Sequence, residues 1–158
     1  ARPHGRPVTE IQMADLLREV RRRFDFCLLD APAGLGRGFQ LATCAADRCV
    51  VVTTADASSL RDAQHTVMEL NRFPAGRLHL VVNRVRKKLL RQLHATIDDA
   101  IDKAGLPLLG VVPEDDALPL CLNRGIPVPL AGSQLSAAAY RNIARRIQGE
   151  RVPLLRIR

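Results

Sequence analysis

The sequence has no tryptophan, one tyrosine and four phenylalanines, so aromatic residues make up only 3% of its 158 positions. Leu, Val, Ile and Ala must therefore supply nearly all of the buried surface. The basic clusters carry no interleaved aromatics, which argues against a stacking platform for single-stranded nucleic acid. No apolar run approaches the roughly 20 residues of a membrane-spanning helix, and no secretory signal pattern opens the chain. The four cysteines, Cys27, Cys44, Cys49 and Cys121, include no C-x-x-C pair, which leaves a zinc or thioredoxin-type site unsupported. Cys27 and Cys49 sit in apolar runs and read as small core residues. This cysteine usage fits a reducing cytoplasm. His4, His65, His79 and His94 form no H-E-x-x-H pattern and read as surface or packing histidines. No G-x-x-x-x-G-K-[ST] phosphate loop occurs anywhere in the sequence.

Acidic residues are also in deficit, 16 against 24 Lys and Arg, for a net charge of +8. Such a balance favours anionic partners: nucleotide, nucleic acid or an acidic lipid surface. The basic clusters lie at Arg21-Arg22-Arg23, at Arg84 to Lys88 and at Arg145-Arg146. An apolar fraction of 47% in 158 residues suits one domain, 1–158, with a sizeable core. The chain opens on Ala1 rather than Met, as a piece of a longer protein does.

Apolar periodicity alternates between helix and strand. Thr9 caps a helix to about Arg23, with Gln12 in the capping-box position. Residues 24–30 read as a buried strand, broken by Pro32 and Gly34. A short helix is expected over 39–46. Arg48 to Thr54 is a second strand, whose unbroken Cys49-Val50-Val51-Val52 run suits burial on both faces. Ser58 or Ser59 caps the next helix. Leu78 to Val82 is a third strand, ending at Asn83-Arg84, and a helix over about 89–104 is closed by Gly105. Leu108 to Val112 is a fourth strand, ending at Pro113-Glu114-Asp115-Asp116. A short turn or helix carries Leu118, Leu120 and Leu122, and Ile126-Pro127-Val128 reads as a short strand. Ser133 or Ser136 caps a last helix. The alternation predicts an α/β fold, a mostly parallel sheet flanked by helices on both faces.

In such a sheet, ligands bind beyond the C-terminal strand ends. Three polar clusters fall there: Asp30 with Pro32-Ala33-Gly34, Asn83-Arg84, and Pro113-Glu114-Asp115. Asp30 is a carboxylate of the kind that holds Mg²⁺ or the water around it. Gly34 leaves a backbone N–H free to approach a phosphate. The Asn83 amide can donate to and accept from an adenine edge at once.

The ordered series of motifs resembles the MinD/ParA family of deviant P-loop ATPases, specifically the C-terminal two thirds of its septum-site-determining branch. The resemblance runs through Phe24 to Gly34, Gly38-Phe39, Ala46-Asp47 and Val51 to Thr54. It continues through Ser58 to Ala63, Val81 to Val85, Leu108 to Asp115, Asn123 to Val128 and Tyr140 to Arg146. It implies a P-loop NTPase fold, incomplete at the N-terminus, using ATP and Mg²⁺. Asp30 would be the catalytic carboxylate, touching Mg²⁺ through water, and Gly34 would sense the γ-phosphate. Asn83, Arg84, Pro113, Glu114 and Asp115 would surround the nucleotide. Ser58, Ser59, Arg61 and Asp62 would form a dimer and partner surface. The resemblance further implies an ATP-closed homodimer and an activating partner protein, MinE-like or another division or positioning factor. It implies contact with an anionic membrane through a C-terminal helix not present here, hence a cytoplasmic protein peripheral to the inner face of the cell membrane. Two alternatives are a ParA-like partition ATPase that binds DNA non-specifically, and a non-catalytic dimerisation module. The family's phosphate-loop lysines lie on a strand upstream of this chain, so the chain alone is expected to be inactive.

Overall fold

The computed structural model describes residues 7–74, 76–86, 88, 97–131 and 133–155. It divides into two compact units, Ala1–Cys49 and Val50–Arg158.

The first unit contains helices α1 (Glu10–Arg21) and α2 (Arg37–Thr43), which pack on each other. The capping box is formed as the sequence predicts. The Thr9 hydroxyl accepts the Gln12 N–H at 3.2 Å, and the Gln12 side chain accepts the Thr9 N–H at 3.0 Å, so two orphan helix donors are satisfied. Arg21 ends α1 by donating to the Asp47 carboxylate at 2.9 Å and to the Ala45 carbonyl at 2.6 Å. Arg37, at the start of α2, donates to the Val8 carbonyl just ahead of α1 at 2.6 Å.

The expected strand over 24–30 is not formed. The segment has no ladder partner among the described residues, and Phe24, Phe26 and Leu28 are 63%, 61% and 89% exposed. A strand is a property of a pair: an apolar alternation cannot become a strand without a neighbour to take its N–H and C=O groups. The turn that follows is well defined. Gly34 has φ +85°, a left-handed conformation that favours glycine. A side chain at Gly38 would overlap the Pro32 ring, so Gly38 lets the turn fold back on the start of α2.

The second unit is built on a sheet of order β1-β2-β3, with β1 Cys49–Thr53, β2 Leu78–Val85 and β3 Leu108–Pro113. Strands β2 and β3 are parallel. Helix α3 (Ala57–Glu69) follows β1, α4 (Ile97–Ala104) follows β2, and α5 (Leu118–Asn123), α6 (Val128–Ala131) and α7 (Gln134–Ile147) follow β3. The predicted start of the helix before α4, residues 89–96, lies outside the described residues. The expected strand at 126–128 is instead the entry to α6. Pro127 and Pro129 lack the donors a ladder needs, and the Leu130 N–H turns back to the Pro127 carbonyl at 2.9 Å.

This is the mostly parallel, helix-flanked sheet that the alternation predicts. Leu80, Val81 and Val82 are all buried, as a strand covered on both faces requires. Small residues bring layers together: Ala100 and Ala104 of α4 are buried where it packs on α3 and β2. Helix α7 packs on β3, its Ala139 joining Val81, Leu109 and Val112 in one cluster that Tyr140, Ile143, Ile147 and Leu155 cover. The helix lies tight on the strand at Gly110, where a β-carbon would overlap the Ile143 side chain.

That overlap gives a testable expectation. Gly110→Ala should destabilise the fold by about 1–3 kcal/mol through overpacking. Truncating the obstacle with Ile143→Ala should remove much of this cost, so the double mutant should be less destabilised than the sum of the singles in urea melts. Strict additivity would show that the two positions do not meet.

Candidate functional site

The polar residues that follow β2 and β3 form one connected corner. Asn83 and Arg84 lie inside the last turn of β2 rather than after it, because the strand continues to Val85. The pairing there is irregular. Val82 pairs with Val111 and Val85 with Pro113, so three steps along β2 match two along β3. The extra residue makes a β-bulge. Arg84 takes the left-handed conformation, φ +53°, the only non-glycine among the described residues to do so. Its N–H donates to the Asn83 Oδ1 at 2.9 Å.

Glu114, directly after β3, closes the corner. Its N–H donates to the Val85 carbonyl at 3.1 Å, carrying the ladder past the bulge. Its largely buried carboxylate accepts Arg84 Nη2 at 3.0 Å and is also paired with Arg86 Nε. The predicted residues Asn83, Arg84, Pro113 and Glu114 are thus brought together.

Asp115 looks inward to a different set of partners. Its carboxylate accepts the Ser133 N–H at 2.8 Å, the Ala117 N–H at 3.0 Å and the hydroxyl of Ser136. Ser136 is fully buried, and Ser133 caps α7 by accepting the Ser136 N–H at 3.2 Å. The Ser136 hydroxyl and the Ser133 N–H stabilise the charged form, lowering the Asp115 pKa from 3.8 to about 2. Asp115 therefore joins the end of β3 to the start of α7, and its oxygens are committed within the fold.

After β1 the cap of α3 is Asp56, not Ser58 or Ser59. The Asp56 carboxylate accepts the Thr54 hydroxyl, the Ser59 N–H at 3.0 Å and the Ser58 hydroxyl at 2.8 Å. These bonds, the Thr54 hydroxyl first, hold its pKa far below the usual carboxylate range. Ser58 and Ser59 are the second and third residues of this capped first turn, while Arg61 and Asp62 lie exposed on the second turn of α3. The signal for Asp56 was present in the sequence: Asp with Ser three residues on is a cap followed by its N3 position.

Asp30 and Gly34 belong to the first unit, where Asp30 is exposed and Gly34 holds the left-handed turn. Among the described residues no group of three or more His, Cys, Asp or Glu side chains could hold a metal unaided, so a cation at Asp30 would need water or substrate oxygens to complete its shell.

A family model described as "Cellulose biosynthesis protein BcsQ" matches residues 5–146. The chain belongs to this family, of the MinD/ParA type. The septum site-determining protein MinD of Bacillus subtilis is 37% identical over 148 residues, which covers 90% of this chain and 54% of that protein. Among solved structures, the MinD cell division protein of Aquifex aeolicus matches with a TM-score of 0.87 at 28% identity, over 94% of this chain and 64% of that one. The Aquifex aeolicus MinC:MinD cell division protein complex matches with a TM-score of 0.85 at 28% identity, over 96% of this chain and 64% of that one. The chain spans about half the length of the curated relatives it matches.

Against an ATP·Mg ligand, this MinD/ParA-type chain fits in part. Asn83 offers a half-buried amide at a strand end, suited to a purine edge. Gly34 and Asp30 offer a left-handed glycine and an exposed carboxylate. The sequence supplies no G-x-x-x-x-G-K-[ST] cradle, so the phosphates would need donors beyond those in this chain.

The Asp115 network sets an acid-stability expectation. A carboxyl at about 2 when folded and 3.8 when unfolded contributes fully above 3.8, and the contribution is lost as pH falls through about 2. Ser136→Ala removes the main donor and should cost about 1–3 kcal/mol at neutral pH. Its deficit against wild type, followed by urea melts, should shrink as pH is lowered from about 5 to about 2. A deficit independent of pH would show that Ser136 acts by packing alone.

Proposed function

We propose that this chain is the base-binding and switch part of a MinD-like ATPase that helps to place the division septum through ATP-dependent dimerisation and membrane association. The observation that carries the reading is the corner at the ends of β2 and β3. Asn83, Arg84, Pro113 and Glu114 come from segments about thirty residues apart and meet at one sheet edge, where α/β folds bind ligands. The similarity to MinD proteins, one of them solved in a MinC:MinD complex, supports the division role and a partner protein.

In this reading Asn83 holds the adenine edge and the turn from Pro113 flanks the base. Asp30 orients the attacking water beside Mg²⁺, and Gly34 reports the γ-phosphate through its N–H. ATP with Mg²⁺ supplies the phosphoryl group to be transferred. The start of α3, with Ser58, Ser59, Arg61 and Asp62, is the proposed dimer and partner surface. Membrane contact and a cytoplasmic, membrane-peripheral location are part of the same proposal; no helix among the described residues is long and apolar enough to cross a membrane.

The DNA-binding alternative has less support. Several of the basic residues in its clusters already hold partners within the chain. Arg146 donates to the carbonyls of Leu108 at 3.2 Å, Leu109 at 3.1 Å and Val152 at 2.6 Å. Arg145 pairs with Glu150, Arg21 with Asp47, and both Arg84 and Arg86 with Glu114.

Two measurements test the proposal. Phosphate release by the purified 158-residue chain should be absent, because it lacks the phosphate clamp; turnover that Asp30→Ala abolishes would refute this. In the full-length gene product, Asp30→Ala should slow ATP hydrolysis by about a hundredfold or more while changing the ATP Kd only a few-fold. A large rise in Kd at unchanged turnover would reassign Asp30 to binding.

A further inference from the structure

The bulge at Asn83-Arg84 is costly by itself. A side chain other than glycine at φ +53° is disfavoured, and the extra residue interrupts the β2–β3 ladder between Val82 and Val85. Backbone strain of this kind persists only where surrounding contacts over-determine it. Here those contacts can be named. The Glu114 N–H is donated to Val85 on the far side of the bulge. The Glu114 carboxylate, 17% exposed, takes Arg84 and Arg86, the residues on either side of Val85. Two guanidinium groups on one largely buried carboxylate form a charge-assisted clamp across the strand pair.

The clamp has a direct effect on Asn83. A backbone N–H needs an oxygen acceptor, so the bond from the Arg84 N–H fixes which end of the Asn83 amide is the oxygen. The amide NH₂ is thereby left pointing the other way, as a donor with a fixed direction. If Arg84 left the left-handed conformation, its N–H would leave the Asn83 oxygen and the amide would rotate freely.

We infer that Glu114, Arg84 and Arg86 are positioning residues: they hold the β2 bulge, and the bulge aims the Asn83 amide at the base of a purine nucleotide, so that base selectivity depends on Glu114 without Glu114 touching the ligand. The inference rests on the proposed nucleotide-binding reading. It departs from it in one respect: Arg84 and Glu114 serve each other rather than the nucleotide.

The test is calorimetric titration of ATP and of GTP, each with Mg²⁺, into the full-length gene product. Glu114→Gln should raise the ATP Kd by about tenfold, the worth of one well-placed hydrogen bond, and lower the ATP-over-GTP preference by a similar factor. Arg84→Gly should keep the preference to within about threefold, because glycine adopts φ +53° without strain. Arg84→Val, whose branched side chain resists that conformation, should lose it. The Gly/Val contrast is the decisive readout. Equal losses in both variants would mean that the Arg84 guanidinium, and not the left-handed backbone at Arg84, carries the preference, and would overturn the inference. So would a Glu114→Gln protein that weakens ATP and GTP alike, or one that is only less stable with both affinities unchanged. A wild-type protein that binds neither nucleotide would overturn the parent reading and this one with it. A wild type that binds ATP selectively, with selectivity untouched by Glu114→Gln, would overturn only the positioning role.

Discussion

Two adjacent carboxylates at the end of β3 carry the organisation of the second unit. Glu114 binds sideways to β2 and its arginines, and Asp115 binds forward to the first turns of α5 and α7. A parallel strand pair leaves its last N–H and C=O groups without ladder partners, and loops that leave it need anchors if they are to return to the same sheet. Glu114 and Asp115 provide one anchor in each direction. Ser136, fully buried beneath Asp115, makes the second anchor specific: an unpaired hydroxyl at that depth would be costly, so α7 can begin only where Asp115 meets it. With α7 so fixed, Gly110 and Ile143 set how near its body lies to the sheet.

This arrangement explains which parts of the fold are legible in sequence. Local signals with a complete mechanism are legible, and of the two serines the sequence offers for α7 the structure selects Ser133. Thr9 with Gln12 is a capping box within four residues, and Ser133 caps α7 through its own near neighbours. Signals that need a remote partner are not. Residues 24–30 have the composition of a buried strand, yet strand formation depends on a neighbour that the composition does not encode. Ile126-Pro127-Val128 has β-branched residues, but Pro127 and the following Pro129 decide against a ladder. For α3 the sequence offers Ser58 or Ser59 as the cap, because serine and aspartate are equivalent on preference alone, and the structure places Asp56 there. What separates them is that Asp56 can accept from Thr54, Ser58 and Ser59 at once.

The candidate site shows the same division. That Asn83, Arg84, Pro113 and Glu114 fall near strand ends follows from pattern, and the structure brings these four together. That Arg84 occupies a left-handed bulge could not be read, because nothing in an arginine announces it: glycine or asparagine is the residue that marks such a position. The clue was only indirect, a carboxylate following one strand and two arginines flanking a valine on the next.

The net charge of +8 also changes meaning once the partners are known. Taken as a surface property, it points to polyanions. Taken residue by residue, some of the arginines also hold the fold together. Arg146 ties three carbonyls of β3 and the tail together, and Arg84 and Arg86 share one glutamate. An arginine held by carbonyls is not released to a phosphate backbone without breaking those bonds, and each lost bond leaves an acceptor unsatisfied. Counterion-release binding to DNA needs several arginines free to exchange. A nucleotide corner needs only a few groups held still. The proposed nucleotide reading asks only for the second, and Arg84 and Arg86, tied to Glu114 at the strand end, are held still in that sense.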